Sequence, residues 1–365
     1  MTTPQRRPAP QRPVRCAVIG YGPSHSFGRQ HGRWLSASPD LDWVAVCDQD
    51  SARLDAAKND FPHLQTFSDV NQLLASDAVD MVSIVTPHHT HAPLALAAIA
   101  AGKHVVVDKA MCLTVAEATA MIDAANAAGV MLAVFHTRRH DGNFRAIQET
   151  VASGAIGEVF HVELSGGGYH RPRDWWFSRK ALSGGAFYYW GPHAIDWVLS
   201  LIPGRVQGVT GFYHKKLWPE VDIEDQTRAL LRFENGAVAD ITWSHADASA
   251  DLARKPLWRI LGTHGAIVDT GAGAGSGLLT EIEGPVSGAI RTITIDGETR
   301  QTADVPYKTS DWATFYQDVA DHLLRGKPVP VSGEAGRRTI AVFEAAERSS
   351  RTGQTEPVAF DSGGQ

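Results

Sequence analysis

The stretch that decides the fold is RCAVIGYGPSHSFGRQH, residues 15–31. A short apolar run ends in Gly20-x-Gly22, and a helix-like segment follows. Glycines at the end of a parallel strand let the backbone approach a pyrophosphate, and the N-terminus of the next helix stabilises its charge. The usual third glycine comes three residues after the second; here Gly28 comes six after it. That spacing predicts an enlarged loop beside the phosphates, with Ser24, His25 and Phe27 as contacts. A plain tight turn would use the same two glycines, so the flanking sequence has to decide.

The flanks favour a dinucleotide. A second apolar run, DWVAVCDQD (42–50), ends in Asp48, 28 residues after Gly20. A carboxylate there would accept both ribose hydroxyls of NAD and repel the 2′-phosphate of NADP. Gln49 follows it, and Arg53 lies close enough to keep NADP as the alternative. Strand and helix signals then alternate to about residue 133, through VDMVSIVTP (79–87), HVVVDKA (104–110) and VMLAVFH (130–136). Thr114 reads as the N-cap of a helix, with Glu117 three residues on. Fully apolar strands alternating with helices mean a parallel sheet covered on both faces. Ligands bind beyond the carboxyl ends of such strands. This brings in Thr86, Pro87, His88 and His91 after one strand, and Asp108 and Lys109 after the next.

Beyond this the pattern changes. EVFHVELSGGG, VQGVTGFYHKK, DQTRALLRFENG, AVADITWSHAD, LWRILGTHG, AIVDTGAG, GLLTEIEG and AIRTITIDG read as strands joined by short turns with Gly or Asn-Gly. The expected fold is α/β plus α+β. Residues 1–13 form a disordered leader, 14–133 a Rossmann domain, and 134–360 a substrate-binding and oligomerisation domain on a large open antiparallel sheet.

Composition sets the outer limits. A net charge of −6 argues against a nucleic-acid surface. No run reaches the ~20 apolar residues of a membrane span. Three cysteines without Cys-x-x-Cys spacing make neither a disulfide framework nor a zinc site. Sixteen histidines include the run HHTH, yet no metal constellation is expected. The bland expectation is a cytoplasmic, two-domain protein.

The chain resembles the glucose–fructose oxidoreductase and inositol dehydrogenase family (Gfo/Idh/MocA) from about residue 14 to 360. Five stretches carry the resemblance: AVIGYG with its later GRQH; VSIVTPHHTHAPLALAAIAAGKHVVVDKA; ASGAIGEVFHVEL; SGGAFYYWGPHAIDWV; and EDQTRALLRFENGAVADITWS followed by ILGTHG. In that family a Glu-Lys-Pro sequence presents its Lys between nicotinamide and substrate; the match here is Asp108-Lys109-Ala110. An Asp and a His four residues later face the nicotinamide; their matches are Tyr189 and His193. The resemblance therefore implies that these groups converge on one pocket. His193 would be the general base, Lys109 would stabilise the developing charge on the same oxygen, and Tyr189 would touch substrate. Two departures matter. Without proline at 110 a cis peptide costs about 2.5–4 kcal/mol, so Lys109 is expected to be presented differently. Tyr189 also cannot support an imidazolium as a carboxylate does.

The substrate side is read from GYHRPRDWWFSRKALSGG (168–185) and FHTRRH (135–140). Tryptophan faces stack on sugar rings and Arg reaches hydroxyls or acids. His136, Arg138, Arg173, Trp175 and Trp176 join Tyr189 as substrate contacts. The expectation is an NAD-dependent oxidoreductase acting on a secondary hydroxyl of a sugar, polyol or glycoside, assembled as a homodimer or homotetramer through the C-terminal sheet. Two rivals remain: an NAD-retaining glycoside-cleaving enzyme and a non-catalytic NAD(P)-binding regulator.

Overall fold

A computed structural model describes residues 13–22, 27–249, 258–269 and 287–360. The chain divides into two compact units: Met1–His136 with Ala313–Arg337, and Thr137–Trp312 with Arg338–Gln365. The expected leader (but for Pro13), the strand GLLTEIEG, and the loop contacts Ser24 and His25 lie outside the described residues.

The first unit runs β1 (Val14–Ile19), α1 (Phe27–Ser36), β2 (Leu41–Cys47), α2 (Ser51–Asp60), β3 (Gln65–Phe67), α3 (Val70–Ala75), β4 (Met81–Ile84), α4 (His91–Ala100), β5 (His104–Val107), α5 (Val115–Ala128) and β6 (Leu132–Val134). The six strands are ordered β3-β2-β1-β4-β5-β6, and every pair is parallel. This is the doubly wound order, whose reversal between β1 and β4 opens a crevice at the strand ends. Val82, Ile84, Val105, Val106 and Val107 are fully buried, as strands covered on both faces must be. Thr114 and Glu117 form the reciprocal capping box that opens α5.

The second unit holds α6 (Gly142–Ala152), β7 (Val159–Gly167), α7 (Lys180–Ser183), α8 (Phe187–Leu201), β8 (Val206–His214), β9 (Gln226–Phe233), β10 (Val238–Ser244), β11 (Trp258–Gly262), β12 (Gly265–Asp269), β13 (Ala289–Asp296) and β14 (Thr299–Pro306). Then α9 (Thr314–Arg325) returns to the first unit, α10 (Gly333–Thr352) leads out of it, and β15 (Glu356–Pro357) closes the second sheet. That sheet has the order β14-β13-β12-β11-β7-β10-β9-β8-β15. It is antiparallel except where β7 and β10 pair in parallel, so it is mixed rather than purely antiparallel. Strand β14 is exposed along nearly its whole length, which is why no apolar alternation announces it.

From α9, Phe315 and Tyr316 enter the core of the first unit. The Tyr316 hydroxyl meets His31 Nδ1 at 2.6 Å and Ser83 Oγ at 2.9 Å, while His31 Nε2 has no hydrogen-bond partner among the described residues.

Candidate active site

In the first unit the strand ends form a cradle made largely of backbone. Gly20 has φ +95°, and a Cβ there would stand 2.2 Å from the Val85 carbonyl oxygen. A Cβ on Gly28 would stand 1.9 Å from the Gly20 oxygen. Gly28 thus supplies the close helix-to-strand approach of the third fingerprint glycine, in spite of its late position. A larger residue at either position would collide with this backbone. Asp48 is bound to this turn: its Oδ2 accepts the Tyr21 and Gly22 amides at 2.8 and 3.1 Å. Its Oδ1 accepts the Asp50 amide at 3.0 Å, which leaves that oxygen one lone pair for a ribose hydroxyl. Gln49 is exposed, and Arg53 lies 3.5 Å from Asp50.

The next two strand ends are tied to each other. His91 reaches the Thr86 oxygen through Nε2 at 2.7 Å and the Ala110 oxygen through Nδ1 at 2.8 Å. Burial pushes its pKa down to about 4. Both ring nitrogens face backbone carbonyls, and the neutral ring, with a single N–H, donates to one of the two. His88 accepts the Ala110 amide at 3.3 Å and is also buried. Pro87 precedes the short 3₁₀ turn 88–90, and the Thr86 hydroxyl pairs with that of Thr90 at 2.6 Å. Phe27 packs edge-on to His31 and Trp34, with ring centroids 5.0 and 5.6 Å away, and so joins an aromatic cluster.

Lys109 comes two residues after β5, behind Asp108, and is partly exposed. Its amide bonds Asp108 Oδ1 at 2.8 Å. Desolvation raises the Asp108 pKa to about 6, against the pull of the neighbouring ammonium. The Lys109–Ala110 peptide is cis, contrary to the expectation from the missing proline. His136, the last residue of this part of the unit, is buried.

In the second unit the chemistry sits on α8. Tyr189 and His193, four residues apart, share a face of the helix. His193 is buried beside Trp190 and Trp197, at ring distances of 5.6 and 6.2 Å. Tyr189 is partly exposed and meets Phe177 edge-on at 4.9 Å. Burial raises its pKa, while Arg138 and Arg173 oppose the shift. Phe177 in turn stacks on Trp176 at 3.8 Å and meets Trp175 at 4.9 Å. Arg173 is exposed.

Three contacts fix the helix. Glu224 accepts the Ala186 amide at its N-terminus at 2.9 Å. Arg139 grips Asp196 with two bonds of 2.8 and 2.6 Å. The Trp197 indole donates to the Arg138 carbonyl at 3.0 Å. Arg138 itself is buried, paired with Asp141 at 3.0 Å and lying over Trp190 at 4.3 Å. Glu224, Arg139, Asp141 and Trp312 were not singled out from the sequence. The Arg-x-x-Asp spacing of 138–141 was the one signal that could have found Asp141. Among the described residues no group of three or more His, Cys, Asp or Glu side chains could hold a metal ion. None of their helices is long and apolar enough to cross a membrane.

Comparison with known proteins agrees with this architecture. Residues 14–136 match an oxidoreductase family described by its NAD-binding Rossmann fold, and residues 144–268 match the Gfo/Idh/MocA C-terminal domain. The scyllo-inositol 2-dehydrogenase (NADP⁺) of Bacillus subtilis is 26% identical over 355 residues, 94% of this chain and 95% of its own. The myo-inositol 2-dehydrogenase of Thermotoga maritima is 24% identical over 349 residues, 92% of this chain and 96% of its own. Among solved structures, an NAD-binding protein from Listeria innocua superposes with a TM-score of 0.78 at 26% identity, covering 95% of this chain and 97% of that one.

Proposed function

The chain belongs to the Gfo/Idh/MocA family of oxidoreductases, and on that premise we propose that it oxidises or reduces a secondary carbinol centre of a sugar or polyol. The observation that carries the reading is Lys109, presented at the carboxyl end of β5 in the unit that also holds the glycine cradle. Gly20, Gly22 and Gly28 would hold the pyrophosphate and Asp48 the adenosine ribose. When bound, the nicotinamide supplies the hydride acceptor or donor.

The remaining work falls to this chain's own side chains. Lys109 donates a hydrogen bond to the substrate oxygen and stabilises the negative charge that grows on it. His193 takes the hydroxyl proton in oxidation and returns it in reduction, because imidazole exchanges protons near neutral pH. Tyr189 donates to a neighbouring substrate oxygen. Its pKa is raised, so it serves as a hydrogen-bond donor and not as an anion. The Asp48 carboxylate favours NAD over NADP by repelling a 2′-phosphate. The inositol dehydrogenases among the relatives support the substrate class. A homodimer or homotetramer through the nine-stranded sheet completes the proposal, and light scattering tests it.

The deciding assay follows reduced nicotinamide with NAD and then NADP over sugars, inositols, sugar acids and glycosides. A stoichiometric signal with one class, lost in Lys109→Ala and in His193→Ala, supports the proposal. NAD retained through purification, with glycoside turnover but no net reduction, would replace it with the redox-neutral glycoside-cleaving reading.

A further inference from the structure

We infer that the substrate carries a carboxylate, held at Arg173 beside Tyr189; this rests on the reading of α8 as the helix that faces substrate. Five observations within the second unit lead to it.

The first is the charge near Tyr189. The guanidinium groups of Arg138 and Arg173 both act on its hydroxyl. The second concerns what neutralises the cations nearby. Arg171 is paired with Glu220, Lys180 with Glu224 and Glu347, and Arg139 with Asp196. Arg173 makes no ion pair and no side-chain hydrogen bond among the described residues, although Asp174 is its chain neighbour.

The third observation is the state of Arg138. Its Nη1 meets Asp141 Oδ2 at 3.0 Å, and the other oxygen of Asp141 is taken by the Trp312 indole at 2.7 Å. Nη2 is buried and has no hydrogen-bond partner among the described residues. Buried charged donors are ordinarily filled, and an unfilled one asks for a functional reason. The guanidinium lies 4.3 and 5.0 Å from the Trp190 and Trp312 ring centroids. Asp141 answers its charge, which leaves Arg173 as the cation near Tyr189 with no ion pair among the described residues.

The fourth is accessibility. Arg173 is exposed, and its planar fork matches a carboxylate with two parallel hydrogen bonds. The fifth is the wall around it. Phe177, stacked on Trp176 and edge-on to Tyr189, offers apolar faces to the ring of a sugar or cyclic polyol. An accessible fork with aromatic faces beside it makes a site for an acidic carbohydrate. A neutral polyol would leave the Arg173 charge to solvent alone.

The test uses pairs that differ only in the acid, such as hexuronates against hexoses and their methyl glycosides. kcat/KM is measured with both cofactors on the full chain, and equilibrium binding of each pair is measured in parallel. The acid member is expected to be preferred by at least about tenfold, with the difference carried by KM. Arg173→Gln should cut the acid-to-neutral ratio about tenfold, and Arg173→Lys should restore part of it. A thermal melt confirms that the variants fold. Equal use of both members, or a ratio unmoved by Arg173→Gln, overturns the inference. If no compound turns over, the dehydrogenase reading fails. Saturable binding of acids alone, lost in Arg173→Gln, would then still support the carboxylate site, and absence of that selectivity would refute it.

Discussion

The ligand-facing edge of the first unit is built from backbone, and that of the second from long side chains. In the first, Gly20, Gly28 and the Tyr21 and Gly22 amides define the cradle, and a single carboxylate pins them. In the second, an Arg–Asp fork, an indole and a carboxylate hold one helix in place. A dinucleotide presents the same phosphates to every protein that binds it, so fixed amides and glycines suffice. A carbohydrate is told from its neighbours by single hydroxyls or an acid group, which only side chains can distinguish.

The largest effect should come from the groups assigned to chemistry. Lys109→Ala and His193→Ala should each lower kcat about 10²- to 10⁴-fold, the range for a lost proton-transfer or charge-stabilising group. Cofactor affinity, read from quenching of tryptophan fluorescence, should stay near wild type in His193→Ala. A fall in cofactor affinity of the same size as the fall in kcat would show that His193 supports the fold and not the reaction.

Next in size is the clamp on α8. Asp196 is buried and Arg139 partly exposed, with 4% and 29% of their side chains accessible. Burial works against the Arg139 charge, but the Asp196 carboxylate more than offsets it and raises the pKa. Asp196→Ala would take both of these bonds from that guanidinium. Breaking a fully buried pair costs about 3–5 kcal/mol, and the exposure of Arg139 brings the expected loss to about 2–3 kcal/mol in urea unfolding. A loss below about 0.5 kcal/mol would show that the fork adds nothing to the helix.

The same contrast explains what could be read from the sequence. Gly20, Asp48 and Lys109 each end an apolar strand, so the strand pattern alone places them at the ligand edge. Tyr189 and His193 stand at helical spacing, and their shared face follows from period alone. The groups that hold α8 do not announce themselves. Trp312 bonds Asp141 across 171 residues of chain, and Glu224 reaches Ala186 across 38. Such contacts depend on topology, which local pattern does not encode. His91 and Phe27 show a related limit. Position near a strand end or glycine turn suggests a ligand but does not reveal that one ring lies between two carbonyls and the other joins an aromatic cluster.

A smaller effect is expected from the first unit's own fastening. Asp48→Ala would release the Tyr21 and Gly22 amides, with about 1–3 kcal/mol of stability lost for the unfilled donors. It should also raise the kcat/KM ratio of NADP to NAD by removing the carboxylate proposed to meet the ribose. Asp48→Asn keeps an acceptor oxygen, so it should keep most of the stability while still relaxing the cofactor preference. If Asn and Ala behave alike in both respects, the bonds from the turn to Asp48 are not what fastens it.

The last effect is a pH dependence at Asp108. Its folded-state pKa is raised to about 6 from the ordinary 3.8, because desolvation opposes the charged form and Lys109 only partly offsets it. The folded state therefore holds this proton over a range where the unfolded chain has lost it. Stability from this group is present at low pH and falls as pH rises from about 4 through about 6, beyond which the penalty is complete. Asp108→Asn removes the ionisation. The difference in urea midpoint between variant and wild type should thus shift in favour of the variant across that window and then level off. The difference between the two curves isolates Asp108 from other carboxylates that titrate in the same range. A difference that stays flat from pH 4 to 7 would mean that the strand ends leave Asp108 solvated. The contrast between a dry backbone edge and a side-chain site would then have to be redrawn at Lys109.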